Sequence, residues 1–541
     1  MSDHQLLIRD LLLGHAARRS GREIVDAEGT RVGYPALIER IGRVAGALRE
    51  AGVGPGQVVA VMDWDSRRYL EAYFAVPMIG ATLQTVNVRL SPDHLAYTLD
   101  HAGAETLLVH DDFLPLLESI APRLRRVRRI VTVGESAPAP RIDGAAHLGS
   151  YHHLVAAADP VTVWPEFDER TRATLFYTSG TTGLPKGVFY SHRQLVLHTL
   201  AALATFGTAP EQGRLSTADV YMPITPMFHA HAWSFPYALT AIGAKQVYPG
   251  RYDAGTLLDL IEREGVTFTH CVATVLQLLL DHPRSAAADL SGVKMLIGGS
   301  ALPDGLARRA LARGVDLFTG YGMSETGPLQ TINHLSPDEL RADPADQPRL
   351  RSRPGRPILL CDVQTSDGSL RPTPPGVEGE ITFRSPWLTA GYLHDEPGSA
   401  ALWEGGRLHS GDVGRFDGDG VLHITDRLKD VIKTGGEWVS SLQLESLISQ
   451  VQGVAEAAVI AAPDPKWGER PLALVRPADG AEGLPDAVRD HLVAVAATGA
   501  IPRYAVPERV LVVDALERTS VGKLDKRALR DRHLDRNREA S

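Results

Sequence analysis

From about residue 55 to 325, short apolar runs alternate with longer amphipathic stretches. QVVAVMDW, AETLLVHD, RRIVTVGE, ATLFYTSG, VTFTHCVA, VKMLIGGS and VDLFTGYG are compact, β-branched and bounded by turn residues, the pattern of buried strands. Helical spacing fills the gaps, as in Ala301 to Arg313. Strands alternating with helices predict an α/β architecture of mostly parallel sheets. No repeat with a period of 20 to 50 residues interrupts it.

The pattern changes after about residue 350. RSRPGRP, RPTPPGVEGEITFRSP and GRLHSGDVGRFDGDGVLHITDR are rich in glycine, proline and alternating apolar residues, which predicts short antiparallel strands with tight turns. Asp426 to Asp430 is a charged run with no apolar face and reads as a linker. The sequence thus predicts a large α/β N-terminal domain (1–428) whose β-rich part spans about 350–426, then a small mobile α+β C-terminal domain (429–541). The tail RALRDRHLDRNREAS is expected to be a solvated helix with a fraying end.

Composition narrows the function classes. At 541 residues, 44% hydrophobic and 22% charged, the chain resembles ordinary soluble proteins, and its net charge of −9 argues against a general nucleic-acid or anionic-membrane binder. No apolar run approaches the ~18 residues of a membrane span, and the N-terminal stretch lacks the form of a signal peptide. A cytoplasmic location is the expectation. Cys271 and Cys361 are too few for a disulfide framework or a cysteine metal site. Of 56 basic residues only eight are lysine, so a retained lysine marks a need for a compact, mobile charge. Lys186, Lys429, Lys433 and Lys523 fall in glycine- or charge-marked segments, whereas Lys245, Lys294 and Lys466 are expected on solvated surface.

YTSGTTGLPKG, residues 177 to 187, has the ingredients of an anion-binding loop: a strand feeding glycines, hydroxyls and a lysine. In a P-loop nucleoside triphosphatase the lysine follows the last glycine, and here Lys186 precedes Gly187. A kinase or GTPase is therefore a poor fit.

This stretch resembles the phosphate-binding signature of the adenylate-forming superfamily, which includes acyl-CoA synthetases, nonribosomal adenylation domains and luciferases. GYGMSETG (320–327), HSGDVG (409–414), DRLKDVIKTGGEWVSSLQLE (426–445) and RTSVGKLDKRALR (518–530) follow in the family's order. The resemblance implies ATP and CoA as co-substrates and Mg²⁺ as cofactor. It implies that Thr178, Ser179, Gly180, Thr181, Thr182, Gly183 and Lys186 wrap the terminal phosphates, with Thr181 and Glu325 on the metal. Tyr321 would stack on adenine, with Gly299, Thr319, Gly320, Gly322 and Ser324 around it. Asp412 and Arg427 would hold the ribose, and Lys523 would bridge the α-phosphate and the substrate carboxylate. Lys429 takes the hinge position of a rotating small domain. Lys433, which is also placed with the nucleotide, lies with Gly435, Gly436 and Trp438 on the phosphopantetheine channel.

YMPITPMFHAHAWSFPYAL (221–239) is the specificity stretch. By resemblance His229 gates the carboxylate site, where amino-acid-activating relatives carry aspartate, and Trp233 gates an acyl tunnel. HAHAW with the later GAKQVYPG is most similar to bacterial medium- and long-chain fatty acyl-CoA synthetases. The expected reaction joins a fatty acid to CoA through acyl-AMP. A fatty acyl-AMP ligase that loads an acyl carrier protein, an aryl-acid CoA ligase and a non-catalytic scaffold remain alternatives. A homodimer is a family-level expectation.

Overall fold

The computed structural model describes residues 4–134, 140–178, 184–435, 437–478, 480–519 and 523–535, with backbone alone for His15, Ala16, Trp438 and Asp535. Each of the seven apolar runs contains a strand: Val58–Met62, Ala104–His110, Arg129–Val133, Arg172–Thr178, Phe268–Cys271, Lys294–Ile297 and Asp316–Gly322. The predicted helix begins later, at Asp304–Ala312, because Pro303 provides its N-cap in extended backbone.

These strands form two sheets. A seven-stranded sheet is built around Val58–Met62 and Ala104–His110, with the hairpin of Arg172–Thr178 and Lys186–Ser191 at one edge. A nine-stranded sheet runs in parallel through Asp316–Gly322, Lys294–Ile297, Phe268–Cys271, Val220–Pro223, Lys245–Tyr248 and Glu23–Asp26. Its antiparallel additions lie at the two edges. Parallel strands require both faces covered, which explains why their sequences are apolar without alternation.

Residues 362–427 form a four-stranded antiparallel sheet, Asp362–Ser366, Gly379–Arg384, Leu408–Phe416 and Leu422–Arg427. The last unit has a mixed sheet centred on Gly468–Pro477, flanked by Val454–Asp464 and Arg509–Val512, with helices Ser441–Ile448, Leu484–Ala497 and Lys526–Asp535. This is the expected α/β chain with a smaller C-terminal domain.

Three expectations need correction. Asp426 is not part of a free linker: it is 1% exposed, lies within the strand Leu422–Arg427, and accepts bonds from the backbone amide and hydroxyl of Ser441. The C-terminal helix is anchored as well as solvated, because Leu529 is fully buried while Lys526 and Arg530 pair with Glu445 and Asp430. Lys245 and Lys294 do not sit on open surface. Each pairs with a buried carboxylate: Lys245 joins Arg31 on Glu264, at 3.0 Å, and Lys294 pairs with Asp219.

Candidate active site

In the antiparallel pair Arg172–Thr178 and Lys186–Ser191, Thr178 stands opposite Lys186. Ser179, Gly180, Thr181, Thr182 and Gly183 lie outside the described residues. Lys186 Nζ is 4.4 Å from the ring centroid of Tyr392 and 3.1 Å from Asp395 Oδ2. The next residue must be small: a Cβ on Gly187 would come 3.1 Å from Leu393 Cβ and 3.2 Å from the Tyr177 ring.

The strand Asp316–Gly322 supplies Thr319, Gly320, Tyr321 and Gly322. A Cβ on Gly322 would fall 1.5 Å from the Pro328 carbonyl oxygen, and one on Gly320 2.9 Å from Ile332 Cδ1. The hydroxyl of Thr319 donates to the Arg353 carbonyl, so its proton holds local backbone in place. Tyr321 packs 5.8 Å from Phe383 and donates its hydroxyl to Asp412 Oδ2 at 2.8 Å. Asp412 and Arg427 are partners on adjacent antiparallel strands, and Arg427 Nε is 3.4 Å from Asp412 Oδ1. Their fifteen-residue separation in sequence is the length of that hairpin. Burial pushes the Asp412 carboxyl up, opposed first by Arg427 and then by the Tyr321 hydrogen bond.

Ser324 and Glu325 follow in a short 3₁₀ turn, Ser324–Thr326. The Ser324 carbonyl accepts from the Tyr190 hydroxyl at 2.6 Å. Glu325 is 7% exposed, and its Oε1 accepts from the Tyr392 hydroxyl at 2.8 Å. Burial pushes this carboxyl up, with Tyr392, Lys523 and Lys186 among the groups that oppose the shift. Among the described residues Glu325 has no ion-pair partner within 4.0 Å, so its charge is under-compensated. A hard oxygen donor in that condition fits Mg²⁺. No group of three or more His, Cys, Asp or Glu is set for a metal among the described residues.

Lys523 arrives from the small domain. Its loop is closed by a bridge between Arg518 and Leu524, and by the Thr519 amide donating to the Lys523 carbonyl at 2.7 Å. The side chain reaches the large domain: a Cβ on Gly299 would lie 3.0 Å from Lys523 Cε and 3.5 Å from Nζ. Burial pushes the ammonium down to about 8, and Arg427 adds to this while Asp412 and Glu325 oppose it. The structure therefore brings Lys523, Glu325, Asp412, Arg427 and Gly299 together from four separate segments.

His229 is held neutral, because burial pushes it down to about 3, helped by the Lys523 charge. The four residues after it, with Ser234, form a left-handed turn: Ala230, His231, Ala232, Trp233 and Ser234 all have φ between 45° and 65°. None is glycine, and such backbone costs about 1–2 kcal/mol per residue. Packing around the turn offsets that cost. The rings of Phe176 and Tyr73 stand edge-on to His231 at 5.0 and 5.8 Å. Trp233 consequently abuts the end of the strand Lys294–Ile297. It lies 4.9 Å from the His270 ring, and a Cβ on Gly298 would come 2.9 Å from its Cη2.

Of the residues expected at the hinge and channel, Lys429 lies within electrostatic range of Arg427 and Asp412. Lys429 is exposed, and Lys433 is exposed on the strand Ile432–Thr434, opposite Trp438. Gly435 has φ +61°, with Trp467 3.0 Å from where its Cβ would be. Gly436 lies outside the described residues. Sequence reasoning did not single out Tyr392 or Asp395. In AGYLHDEPGS both look like ordinary turn and core residues, and the only signal is an acidic N-cap, since Asp395 caps the helix Glu396–Leu402.

Two family models match in succession: AMP-binding enzyme over residues 13–393, and AMP-binding enzyme C-terminal domain over 443–523. The chain belongs to the AMP-binding enzyme family. It is thus a member of the adenylate-forming superfamily. Its relatives include a long-chain-fatty-acid–CoA ligase of Thermus thermophilus, 41% identical over 98% of this chain and 96% of that one. A 3-methylmercaptopropionyl-CoA ligase of Ruegeria pomeroyi is 38% identical over 98% of both chains. A medium-chain-fatty-acid–CoA ligase of Ectopseudomonas oleovorans is 34% identical over 99% and 97%. Among solved structures, ATP-bound MatB from Rhodopseudomonas palustris superposes with TM-score 0.82 at 26% identity, covering 98% of this chain and 99% of that one. Among the described residues, no helix is long and apolar enough to cross a membrane.

Proposed function

We propose that this AMP-binding enzyme is a fatty acid–CoA ligase that works through an acyl-adenylate. The carboxylate oxygen of the acid attacks the α-phosphorus of ATP, the bond to pyrophosphate breaks, and acyl-AMP forms. The CoA thiol then attacks the acyl carbon, loses its proton and releases AMP. The observation that carries this reading is the reach of Lys523 from the small domain to Gly299, within electrostatic range of Asp412 and Glu325.

Both substrates of the first step are anions, so the protein's work is to offset repulsion and fix an in-line approach. Lys186 supplies positive charge at the exit of the glycine-rich hairpin. Lys523 supplies it where carboxylate and α-phosphate meet, a junction better served by a compact ammonium than by a planar guanidinium. Asp412 and Arg427 hold the ribose and Tyr321 stacks on the base. Glu325, with Thr181, would hold Mg²⁺, which when bound spreads the negative charge of the departing phosphates. His229, kept neutral, can accept or donate one hydrogen bond beside the substrate carboxylate without adding charge.

The acyl assignment rests on Trp233 against Gly298, an apolar plate beside the nucleotide strands, and on the fatty-acid ligases among the relatives. The small domain would turn about Lys429 to bring Lys433, Gly435, Gly436 and Trp438 to the thiol. Transfer to an acyl carrier protein is the second reading, because the same adenylate and the same channel loop would serve it.

The test is product analysis with ATP, Mg²⁺ and saturated acids of graded length, with and without CoA. Acyl-CoA and AMP appearing together establish the ligase. Acyl-AMP formed with or without CoA, and no thioester, favours the carrier-protein reading.

A further inference from the structure

Tyr392 touches two charged groups at once. Its hydroxyl donates to Glu325 Oε1 at 2.8 Å, while the ammonium of Lys186 sits 4.4 Å from its ring centroid. One rigid phenol therefore fixes the spacing between a cation at the phosphate hairpin and a carboxylate in the 3₁₀ turn. These groups are 139 positions apart in the chain (325 − 186): Lys186 begins a strand of the seven-stranded sheet, and Glu325 lies in the turn that follows a strand of the nine-stranded one.

The segment carrying Tyr392 is itself clamped between the two. Toward the hairpin, the Leu393 amide donates to the Gly187 carbonyl at 2.8 Å and the Thr389 hydroxyl to the Phe189 carbonyl at 2.9 Å. Toward the turn, the Thr389 amide donates to the Glu325 carbonyl at 3.1 Å. Below the ring, Asp395 takes Lys186 at 3.1 Å through one oxygen and caps the helix Glu396–Leu402 through the other. A hydrogen bond to a carboxylate is a strong, oriented contact, and a cation over a phenol face is held laterally.

We propose that Tyr392 is a positioning residue that sets the Glu325 carboxylate for its metal and Lys186 for the terminal phosphates, coupling the two through one side chain. This rests on the adenylate-forming reading above. The hydroxyl serves the metal side and the ring serves the lysine side, so the two functions separate by substitution.

The experiment is calorimetric binding of a non-hydrolysable ATP analogue, with Mg²⁺ and with EDTA, to the wild type and to Tyr392→Phe and Tyr392→Leu. Tyr392→Phe should cut the Mg²⁺-dependent gain in affinity about tenfold, the typical effect of removing a partner that orients a metal ligand. Its affinity in EDTA should stay within about twofold, because the ring remains under Lys186. Tyr392→Leu should lose affinity in both conditions. In a Glu325→Gln background, Tyr392→Phe should add little, since the hydroxyl no longer orients a ligand.

A Tyr392→Phe protein with the full Mg²⁺-dependent gain overturns the proposal. So does equal loss with Mg²⁺ and with EDTA, or full additivity with Glu325→Gln, since either makes the hydroxyl a packing element. A wild type that binds no analogue at all would instead overturn the adenylate-forming reading, a separate outcome.

Discussion

Gly299 and Lys523 occupy adjoining space: a methyl group on Gly299 would stand 3.0 Å from Lys523 Cε. One belongs to the large domain and the other to the small one, so this contact is specific to the arrangement seen here. Gly299 also has φ +77°, where a side chain is strained. Gly299→Ala should therefore slow adenylation, measured by pyrophosphate exchange, by up to about a hundredfold, the scale of an ångström-level misplacement. Conversion of supplied acyl-AMP to thioester should fall much less. Equal losses in both half-reactions would show that Lys523 does not act from this position.

The depressed ammonium of Lys523 makes adenylation pH-dependent. With its pKa at about 8, the charged form is lost as pH rises through that value. kcat/KM for ATP should fall on the alkaline side with a midpoint near there, and Lys523→Arg should remove that limb while lowering the plateau. Stability has the opposite sign. Between about pH 8 and 10.4 the unfolded chain binds more protons than the folded one, so stability should rise with pH over that window. Chemical unfolding at pH 7 and pH 10 of wild type and Lys523→Met checks this: the variant should lack the part of the pH dependence that Lys523 contributes, and an identical pH dependence in the two proteins would refute it.

In the proposed function Trp233 and Gly298 border the acyl chain. Trp233→Ala removes a ring that rests on His270 and abuts Gly298, and should broaden the chain-length profile, with at least about tenfold relative gain for the poorest acid. Gly298→Ala would place a Cβ 2.9 Å from Cη2 and force the indole to shift. It should alter the same profile while leaving the KM for ATP near the wild-type value. Unchanged profiles in both variants would place the acyl chain elsewhere.

In the small domain, Lys526 pairs with Glu445 at 2.7 Å, and both side chains are nearly buried. Lys526→Ala leaves that carboxylate unpaired and should destabilise by about 3–5 kcal/mol, read as a lower denaturant midpoint. Lys526→Met with Glu445→Gln should cost clearly less, because no uncompensated charge remains. A double variant as unstable as the sum of the single ones would refute this.

The site motifs were legible in sequence because each is a contiguous run whose residue types serve one chemical need. Glycines at 320 and 322 are required by contacts with Ile332 and Pro328, a few residues ahead on the same chain. What stayed hidden depends on distant partners. Lys245 and Lys294 looked dispensable, yet each answers a buried acid, 19 and 75 residues away. Tyr392 gave no signal because its significance lies in contacts with Lys186 and Glu325. The left-handed turn at Ala230–Ser234 was equally unreadable: nothing in AHAWS asks for positive φ, and only the surrounding rings impose it.

Arg427 pairs with Asp412, the pair proposed to hold the ribose, and it stands two positions before Lys429. In the proposed cycle the sugar is thus gripped at the axle rather than on the swinging arm. Rotation about Lys429 sweeps Lys523 through a wide arc but barely displaces the nucleotide. The intermediate can then change catalytic faces without being released, and a reactive mixed anhydride need never meet bulk water between the two steps.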